Sequence, residues 1–159
     1  LFGIWGRCFP KSILRQAAEM TQMSVVNDQI GRPTWSGDVS LAMKQLLLNK
    51  REVLLKPGTE IFHLGNGGTV HWADYARFIL KSAGLAAVKI KDIPSEQLKR
   101  PAPRPANSVL ALDKSEKVLG LKLRSWEDAT LEFLPKLKAE LAAAEAKAKA
   151  QAAEKENVA

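Results

Sequence analysis

The sequence predicts an α/β fold in which short buried strands alternate with amphipathic helices. A short apolar run at residues 23–26 is stopped by Asn27 and Asp28, which favour turns because their side chains bond to nearby backbone groups. From Ser36 onward, apolar residues instead recur at three- and four-residue spacing, which is the period of a helix. Because α/β proteins place ligands where strands end in polar loops, the loop at residues 27–35 is the first candidate binding site.

Length and composition fit one domain of ordinary globular character. The chain has 159 residues, of which 46% are hydrophobic, and a domain of about this size buries roughly 68–70% of its unfolded surface. No apolar run approaches the ~20 residues of a membrane helix, and no signal-peptide pattern is present, so we expect a cytoplasmic protein. The sequence starts at Leu1, inside what looks like the end of a strand, which predicts a fragment, a processed chain or a truncated gene product.

Charge and cysteine content indicate no specialised chemistry. The net charge is +7, but the basic excess is spread along the chain, and no basic run contains interleaved aromatic residues. A nucleic-acid partner is therefore not expected, since an ordinary solvated surface or an anionic ligand explains the charge as well. The single Cys8 cannot form an intramolecular disulfide. We interpret it as a partly buried thiol rather than a nucleophile.

Proline position and apolar spacing predict the first two helices. Pro10 suits the first turn of a helix, because the N–H that it lacks is not needed there. The apolar face of this helix consists of Ile13, Leu14 and Ala17. The second helix is predicted from Ser36 to near Leu48. Its apolar face consists of Val39, Ala42, Met43, Leu46 and Leu47.

A second strand, a glycine-rich loop and a third helix are predicted next. The strand covers residues 61–64, and the loop covers residues 65–68. The loop resembles a phosphate cradle only weakly, because the dinucleotide fingerprint needs a third glycine where Val70 stands. We expect its glycines to supply positive φ and a close approach to a neighbouring segment. The helix is predicted to end at Gly84 and to bury Trp72, Ala76, Ile79 and Ala83.

The two histidines of the chain lie on either side of this glycine-rich loop. His63 and His71 are eight residues apart, but no Cys or third His joins them in the sequence. A protein zinc site normally has three or four ligands. We therefore place His63 in the strand and His71 at the helix N-cap, and predict no metal site.

Residues 87–120 are predicted to contain a strand, a proline-rich crossing and a short helix. The strand covers residues 87–90. Four prolines between Pro94 and Pro105 exclude a helix over that stretch. The short helix covers residues 113–119 and stops at Gly120.

The last helix begins at Ser125, where Ser-Trp-Glu-Asp has the pattern of a capping box. Its predicted apolar stripe consists of Leu131, Leu134, Leu137 and Leu141. Pro135 is expected to kink or divide this helix. Residues 142–159 contain Ala, Lys, Glu and Gln with no large apolar anchor, so they are expected to form a helical or frayed tail.

Two ordered motifs give the chain a specific resemblance. VVNDQIGRPT resembles the strand and loop of the dTDP-4-dehydrorhamnose reductases, a branch of the extended short-chain dehydrogenase/reductases, and RPANSVL resembles an element near their C-terminus. Between the two motifs, FHLGNGGTVHWADYARFIL is similar to the family's strand, glycine-rich loop and helix, and after them GLKLRSWEDATLEFL is similar to the start of its final helix. The resemblance covers residues 1–141, but only the second half of such an enzyme.

The resemblance implies the C-terminal substrate-binding part of an extended short-chain dehydrogenase/reductase, with the NAD(P)-binding Rossmann-like half absent. Residues 1–141 would form this portion and residues 142–159 the tail. The intact family enzyme uses NADPH and a Tyr-x-x-x-Lys pair, in which tyrosine protonates the substrate carbonyl. Here Tyr75 is the only tyrosine, and Ile79 stands four residues later. We therefore expect no catalytic residues in this chain and no cofactor binding by the chain alone.

The same resemblance implies a binding site for a dTDP-sugar. Gln29 and Arg32 from the first motif, and Arg104 and Asn107 from the second, are the predicted substrate-binding residues. Arginine suits this task because its planar fork meets phosphate oxygens in pairs. The alternative for Asn107 is a purely structural role in the loop backbone.

Two departures from the family pattern lie close to these motifs. The family's Asn-Asn-Phe element is replaced by Arg7, Cys8 and Phe9, and the acidic residue that usually follows the second motif is replaced by Ala111. The expected partners are the missing Rossmann portion and a possible second copy in a homodimer. The alternative function is a non-catalytic regulatory or scaffold protein of the same fold, like the regulatory subunit of methionine adenosyltransferase.

Overall fold

Five helices and four short strands make up the part of the chain that the computed structural model describes, namely residues 1–55, 57–98 and 101–156. In chain order they are α1 (Phe9–Glu19), β1 (Gln22–Val26), β2 (Ile30–Gly31), α2 (Ser36–Asn49), α3 (Arg51–Leu54), β3 (Val70–His71), α4 (Trp72–Ser82), β4 (Lys89–Ile93) and α5 (Trp126–Glu156). A 3₁₀ turn at Ser95–Gln97 and a π-helical turn at Ser115–Leu119 lie between β4 and α5.

A parallel pair, β1 and β4, forms the main sheet. Met23 lies opposite Ile90, and Val26 lies opposite Ile93. The predicted strand at residues 23–26 is confirmed. The predicted strand at residues 87–90 is wrong in its placement, because β4 begins at Lys89 and continues until it has paired with the whole of β1.

A smaller antiparallel pair joins the loop after β1 to the start of α4. Ile30 in β2 lies opposite His71 in β3. On its other side, Ile30 donates its N–H to the Ala106 carbonyl at 2.8 Å and accepts the Ser108 N–H at 3.1 Å. The proline-rich crossing therefore returns to the loop after β1, as expected.

The predicted strand at residues 61–64 is wrong. Within the described ranges, residues 60–65 make no backbone–backbone hydrogen bond, because no neighbouring segment lies alongside them to complete a ladder. Side chains bond to the backbone carbonyls of this stretch instead. Lys114 donates to the Ile61 carbonyl at 3.1 Å, and the Ser115 hydroxyl donates to the His63 carbonyl.

The core is built around aromatic rings from the N-terminal loop, α4 and α5. The Phe2 and Phe133 rings meet edge to face at 4.9 Å, and Tyr75 meets Trp126 in the same way at 5.3 Å. Such edge-to-face pairs add to the stabilisation from area burial. Apolar residues with 0% exposure on the two helices are Ala76, Ile79, Ala129, Phe133 and Leu137.

The buried face of α2 is narrower than predicted. Ala42 and Leu46 are buried, but Met43 and Leu47 are 42% and 56% exposed. The buried positions follow a four-residue spacing that begins at Asp38, whose carboxylate pairs with a guanidinium from another segment. A polar anchor at the start of the helix thus sets which face turns inward.

The third predicted helix, α4, agrees with the structure at both ends. His71 is its N-cap residue, and Gly84, with φ of +77°, follows its last turn. The Lys138 ammonium donates to the Ala83 carbonyl at 2.6 Å, where a cation complements the helix C-terminus. Trp72 is half-buried rather than buried.

The last helix, α5, is continuous through Pro135. Of the two predicted effects of this proline, division of the helix is therefore wrong, and a kink stays a prediction. Pro135 lies on the exposed face, where water can satisfy the carbonyl that loses its backbone donor. Leu131 is 51% exposed and does not belong to the buried stripe. The capping box is confirmed, since Ser125 Oγ accepts the Asp128 N–H at 3.0 Å.

The short helix before α5 and the described part of the tail agree with their predictions. The tail is helical as far as Glu156, and residues 157–159 lie outside the described residues. The turn at Ser115–Leu119 stops at Gly120, as predicted, with φ of +66°. Across the described ranges, no helix combines enough length with enough apolar character to span a bilayer.

Candidate functional site

A cavity of about 820 Å³ lies between α1, the C-terminal end of β1 and the proline-rich crossing. Its volume falls within the ~300–1,000 Å³ of typical ligand pockets. Two of the four predicted binding residues, Gln29 and Arg104, are in its wall. The remaining lining residues are Leu1, Arg7, Cys8, Phe9, Ser12, Ile13, Gln16, Ser24, Val25, Val26, Trp72, Leu98, Pro105 and Ser108.

Gln29 is held at the wall by a short hydrogen-bonded chain. Its Nε2 donates to Ser95 Oγ at 2.7 Å, and that hydroxyl donates to Asp28 Oδ1 at 2.5 Å. The Ser95 N–H also donates to Asp28 Oδ2 at 2.8 Å. The hydrogen bonds from the Ser95 side chain and backbone lower the pKa of Asp28. The loop after β1 is thereby fixed to the turn that follows β4.

The opposite wall comes from the crossing. Arg104, Pro105 and Ser108 line the cavity, and the Ser108 hydroxyl donates to the Ile30 carbonyl at 3.3 Å. Arg104 is exposed. The pairing of this segment with β2 therefore holds Arg104 at the cavity.

Arg32 and Asn107, the other two predicted binding residues, are not among the residues that line the cavity. Arg32 Nη1 donates to the Asn66 carbonyl at 2.9 Å, while its buried Nε has no partner among the described atoms. Asn107 Oδ1 accepts the Val109 N–H at 2.9 Å, which closes a local turn. Their contact with a ligand stays a prediction.

An apolar and aromatic wall was not anticipated from the sequence. The rings of Phe9 and Trp72 lie 4.9 Å apart, and both residues line the cavity. Cys8 beside them is 8% exposed, and its Sγ donates to the Gly3 carbonyl at 3.4 Å. The two rings are tilted by 59° to each other. An aromatic wall next to polar groups suits a ligand that joins a ring to charged substituents.

Asn66 is the structural centre of the glycine-rich loop, and the sequence analysis assigned it no role. Its side chain is fully buried and donates to Asp38 Oδ2 at 2.7 Å and to the Arg124 carbonyl at 3.1 Å. Its Oδ1 accepts the Trp35 N–H at 2.8 Å. The Arg124 guanidinium donates two hydrogen bonds to the Asp38 carboxylate, at 2.9 and 3.0 Å. This network locks α2 to the segment before α5.

The glycine-rich loop does not fit the pyrophosphate of a dinucleotide. Gly67 donates its N–H to the Arg124 carbonyl at 2.7 Å and accepts the Trp126 N–H at 3.0 Å. Gly68 has φ of +81°, and a Cβ there would lie 2.9 Å from the Trp126 ring. Close packing is confirmed, and positive φ is confirmed for Gly68 but not for Gly65 or Gly67. The loop is therefore not an open nest of donors.

A smaller cavity of about 160 Å³ lies between α2 and residues 120–124. Its charged residues are Asp38, Lys122 and Arg124. Asp38 and Arg124 neutralise each other, which leaves one lysine. The smaller cavity offers less room and less unsatisfied charge than the larger cavity. Within the described part of the chain, no group of three or more His, Cys, Asp or Glu residues is placed to hold a metal ion.

Tyr75 occupies the core and not a cleft. It is 1% exposed, and its hydroxyl lies 3.2 Å from Thr130 Oγ1. Burial raises the pKa of Tyr75, because the phenolate would lose its hydration. A proton donor for a carbonyl must reach its substrate, so this tyrosine is a packing residue.

The architecture and cavity can be compared with known proteins. The sequence profile described as "RmlD substrate binding domain" matches residues 1–139. The chain belongs to this family. A dTDP-4-dehydrorhamnose reductase of Sinorhizobium fredii is 33% identical over 136 residues, which are 82% of this chain and 45% of that protein. The enzyme of the same name from Salmonella typhimurium is 36% identical over 130 residues, which are 77% and 42% of the two chains.

Solved structures agree with the sequence comparison. The crystal structure of a dTDP-4-dehydrorhamnose reductase from Clostridium acetobutylicum matches with a TM-score of 0.74 and 28% identity, over 84% of this chain and 45% of that one. The Bacillus anthracis enzyme, solved in complex with NADP, gives a TM-score of 0.72 and 26% identity, over 85% and 45%. The expected α/β fold is thus confirmed, and the chain spans less than half the length of the relatives it matches.

Proposed function

We propose that this chain is the C-terminal substrate-binding portion of an NADPH-dependent dTDP-4-dehydrorhamnose reductase. The cavity between α1, β1 and the crossing would hold the dTDP-sugar. The observation that carries the proposal is the meeting of Gln29 and Arg104, from two distant family motifs, in the walls of one 820 Å³ cavity. Family membership over residues 1–139 supports it.

The chemistry of the cavity suits a sugar nucleotide. Arg104 provides a forked donor for phosphate oxygens, and the Phe9–Trp72 pair offers an aromatic surface. Hydroxyl and amide groups of Ser12, Ser108 and Gln29 also line the cavity and match the polar groups of a sugar.

The cofactor and the proton donor would come from a dinucleotide-binding portion outside these 159 residues. The Bacillus anthracis relative was solved in complex with NADP, and this chain covers 45% of it. The glycine-rich loop here is packed against residues 124–126, and Tyr75 is buried. The Sinorhizobium fredii and Salmonella typhimurium relatives are named as reductases, which gives no support to the alternative of a regulatory scaffold.

Replacing Arg104 by Ala tests the site. We expect this substitution to weaken the binding of dTDP and dTDP-rhamnose by about 1.5–3 kcal/mol, the range for hydrogen bonds to charged groups. Binding is measured by isothermal titration calorimetry on the chain joined to the dinucleotide-binding portion of a relative, because that portion is expected to supply a further wall. The melting temperature should stay that of the parent, since Arg104 is exposed.

The matched control is Arg15→Ala, which removes an exposed arginine of α1 that is not part of the cavity wall. It should leave binding unchanged. Two results together would contradict the proposal. Arg104→Ala would bind dTDP and dTDP-rhamnose as tightly as the parent, and Asn107→Ala would only lower the melting temperature. The crossing would then be structural, and the site would be elsewhere.

A further inference from the structure

The charged residues that line the large cavity all carry the same sign. Arg7 and Arg104 are the two charged side chains in its wall, and no acidic residue is among the lining residues. Neither arginine belongs to an ion pair within the described ranges. Two unneutralised guanidinium groups on one cavity make its potential positive, which favours a ligand with more than one negative charge.

The two arginines reach the cavity from separate parts of the fold. Arg7 lies between Gly6, whose φ of +77° turns the chain, and the first residues of α1. The Ser12 N–H donates to the Cys8 carbonyl at 3.0 Å, so the backbone just after Arg7 is already held by the helix. Arg104 lies on the crossing, which pairs with Ile30 in β2. The backbones that carry both groups are therefore anchored independently of each other.

We propose that Arg7 and Arg104 form a two-sided clamp for a diphosphate, with one guanidinium for each phosphate group. The inference rests on the proposed function, which places a nucleoside diphosphate-sugar in this cavity. One guanidinium engages two oxygens of one phosphate in a paired contact. The second guanidinium therefore adds to the binding free energy only when the ligand has a second phosphate. The clamp thus selects diphosphates over monophosphates.

The ratio of affinities for dTDP and dTMP measures this selection, by calorimetry on the same joined protein that tests the proposed function. The parent should bind dTDP about tenfold or more tightly than dTMP, which is a typical effect of one additional charge-assisted contact. Either Arg7→Ala or Arg104→Ala should reduce this ratio to about twofold or less. Arg15→Ala, on the same helix as the first wall but outside the cavity, should keep the parent ratio.

A ratio is chosen because a merely structural defect lowers both affinities together and leaves the ratio unchanged. Should Arg7→Ala fail to fold, Arg7→Lys supplies the second variant. Lysine keeps the positive charge but lacks the planar, forked guanidinium. The ratio of dTDP to dTMP affinity should therefore fall between those of the parent and Arg104→Ala. Raising the salt concentration should weaken dTDP binding more steeply than dTMP binding in the parent.

Inorganic pyrophosphate separates the clamp from the proposed function. If pyrophosphate binds as tightly as dTDP and its binding depends on Arg7, the clamp stands while the thymidine nucleotide function fails. If dTDP binds more tightly than pyrophosphate and Arg7→Ala keeps the parent ratio, the function stands and the clamp is refuted. A joined protein that binds neither ligand at millimolar concentration also refutes the clamp.

Discussion

Replacement of Asn66 by Ala tests how the scaffold behind the cavity is held. The Asn66 side chain makes three hydrogen bonds, one to the Asp38 carboxylate and two to backbone groups of Trp35 and Arg124. Each neutral bond is worth about 1 kcal/mol and the bond to the carboxylate about 1.5–3 kcal/mol. The free energy of unfolding should therefore fall by about 3–5 kcal/mol.

Chemical denaturation with urea measures this loss directly. A decrease of that size corresponds to a melting temperature lower by about 6–20 °C in a domain of this size. The matched control is Asn107→Ala, since Asn107 is exposed and its side chain bonds only to the nearby Val109 N–H among the described residues. It should cost less than about 1 kcal/mol. An Asn66→Ala protein within 1 kcal/mol of the parent would refute the view that this network holds α2 in place.

Three further predictions concern the tail, the Asp28 carboxyl and catalysis. Removal of residues 142–159 should leave the melting temperature nearly unchanged in a thermal scan, since residues 142–144 and 146–148 are exposed; a fall of more than a few degrees would show that the tail docks. Asp28 should titrate below its ordinary value of 3.8 in a carbon-detected NMR titration, so its stabilisation is present above that value and is lost as the pH falls through the folded-state pKa. Titration at or above 3.8 would contradict the bond to Ser95. Finally, the purified chain should not oxidise NADPH with a dTDP-4-keto sugar in an absorbance assay, and any turnover above the uncatalysed rate would show that these 159 residues are sufficient for catalysis.

Local sequence signals predicted the elements whose formation depends on their own residues. The capping box at Ser125 and the glycine stop at Gly84 act within one turn of a helix, and both are confirmed. The strand at residues 61–64 failed because a strand needs a partner, and the chain as described supplies side chains there instead of a backbone. Apolar composition alone does not show whether such a partner exists.

The candidate site shows the same limit. Gln29 and Arg104 were identified from motifs, and the structure brings them to one cavity. Ser95 was missed because β4 was placed too early in the sequence. With β4 ending at Ile93, Ser95 lies just beyond the same sheet edge as Asp28, where the carboxyl ends of parallel strands meet.

Burial that depends on distant partners could not be predicted from periodicity. Met43 and Leu47 fit the helical pattern, yet they are exposed because the Asp38–Arg124 pair determines how α2 faces the core. Pro135 broke the helical pattern in the sequence but not in the structure. Phe133 and Leu137 on either side of it are fully buried, and their packing outweighs one lost hydrogen bond.

A crystal structure of the chain with dTDP-rhamnose at saturating concentration tests the central claim most directly. The account predicts the diphosphate beside the Arg104 guanidinium, in the 820 Å³ cavity that Gln29 and Trp72 also line. Nucleotide density in the smaller cavity beside Arg124, or an empty large cavity under conditions in which calorimetry shows full occupancy, would contradict it.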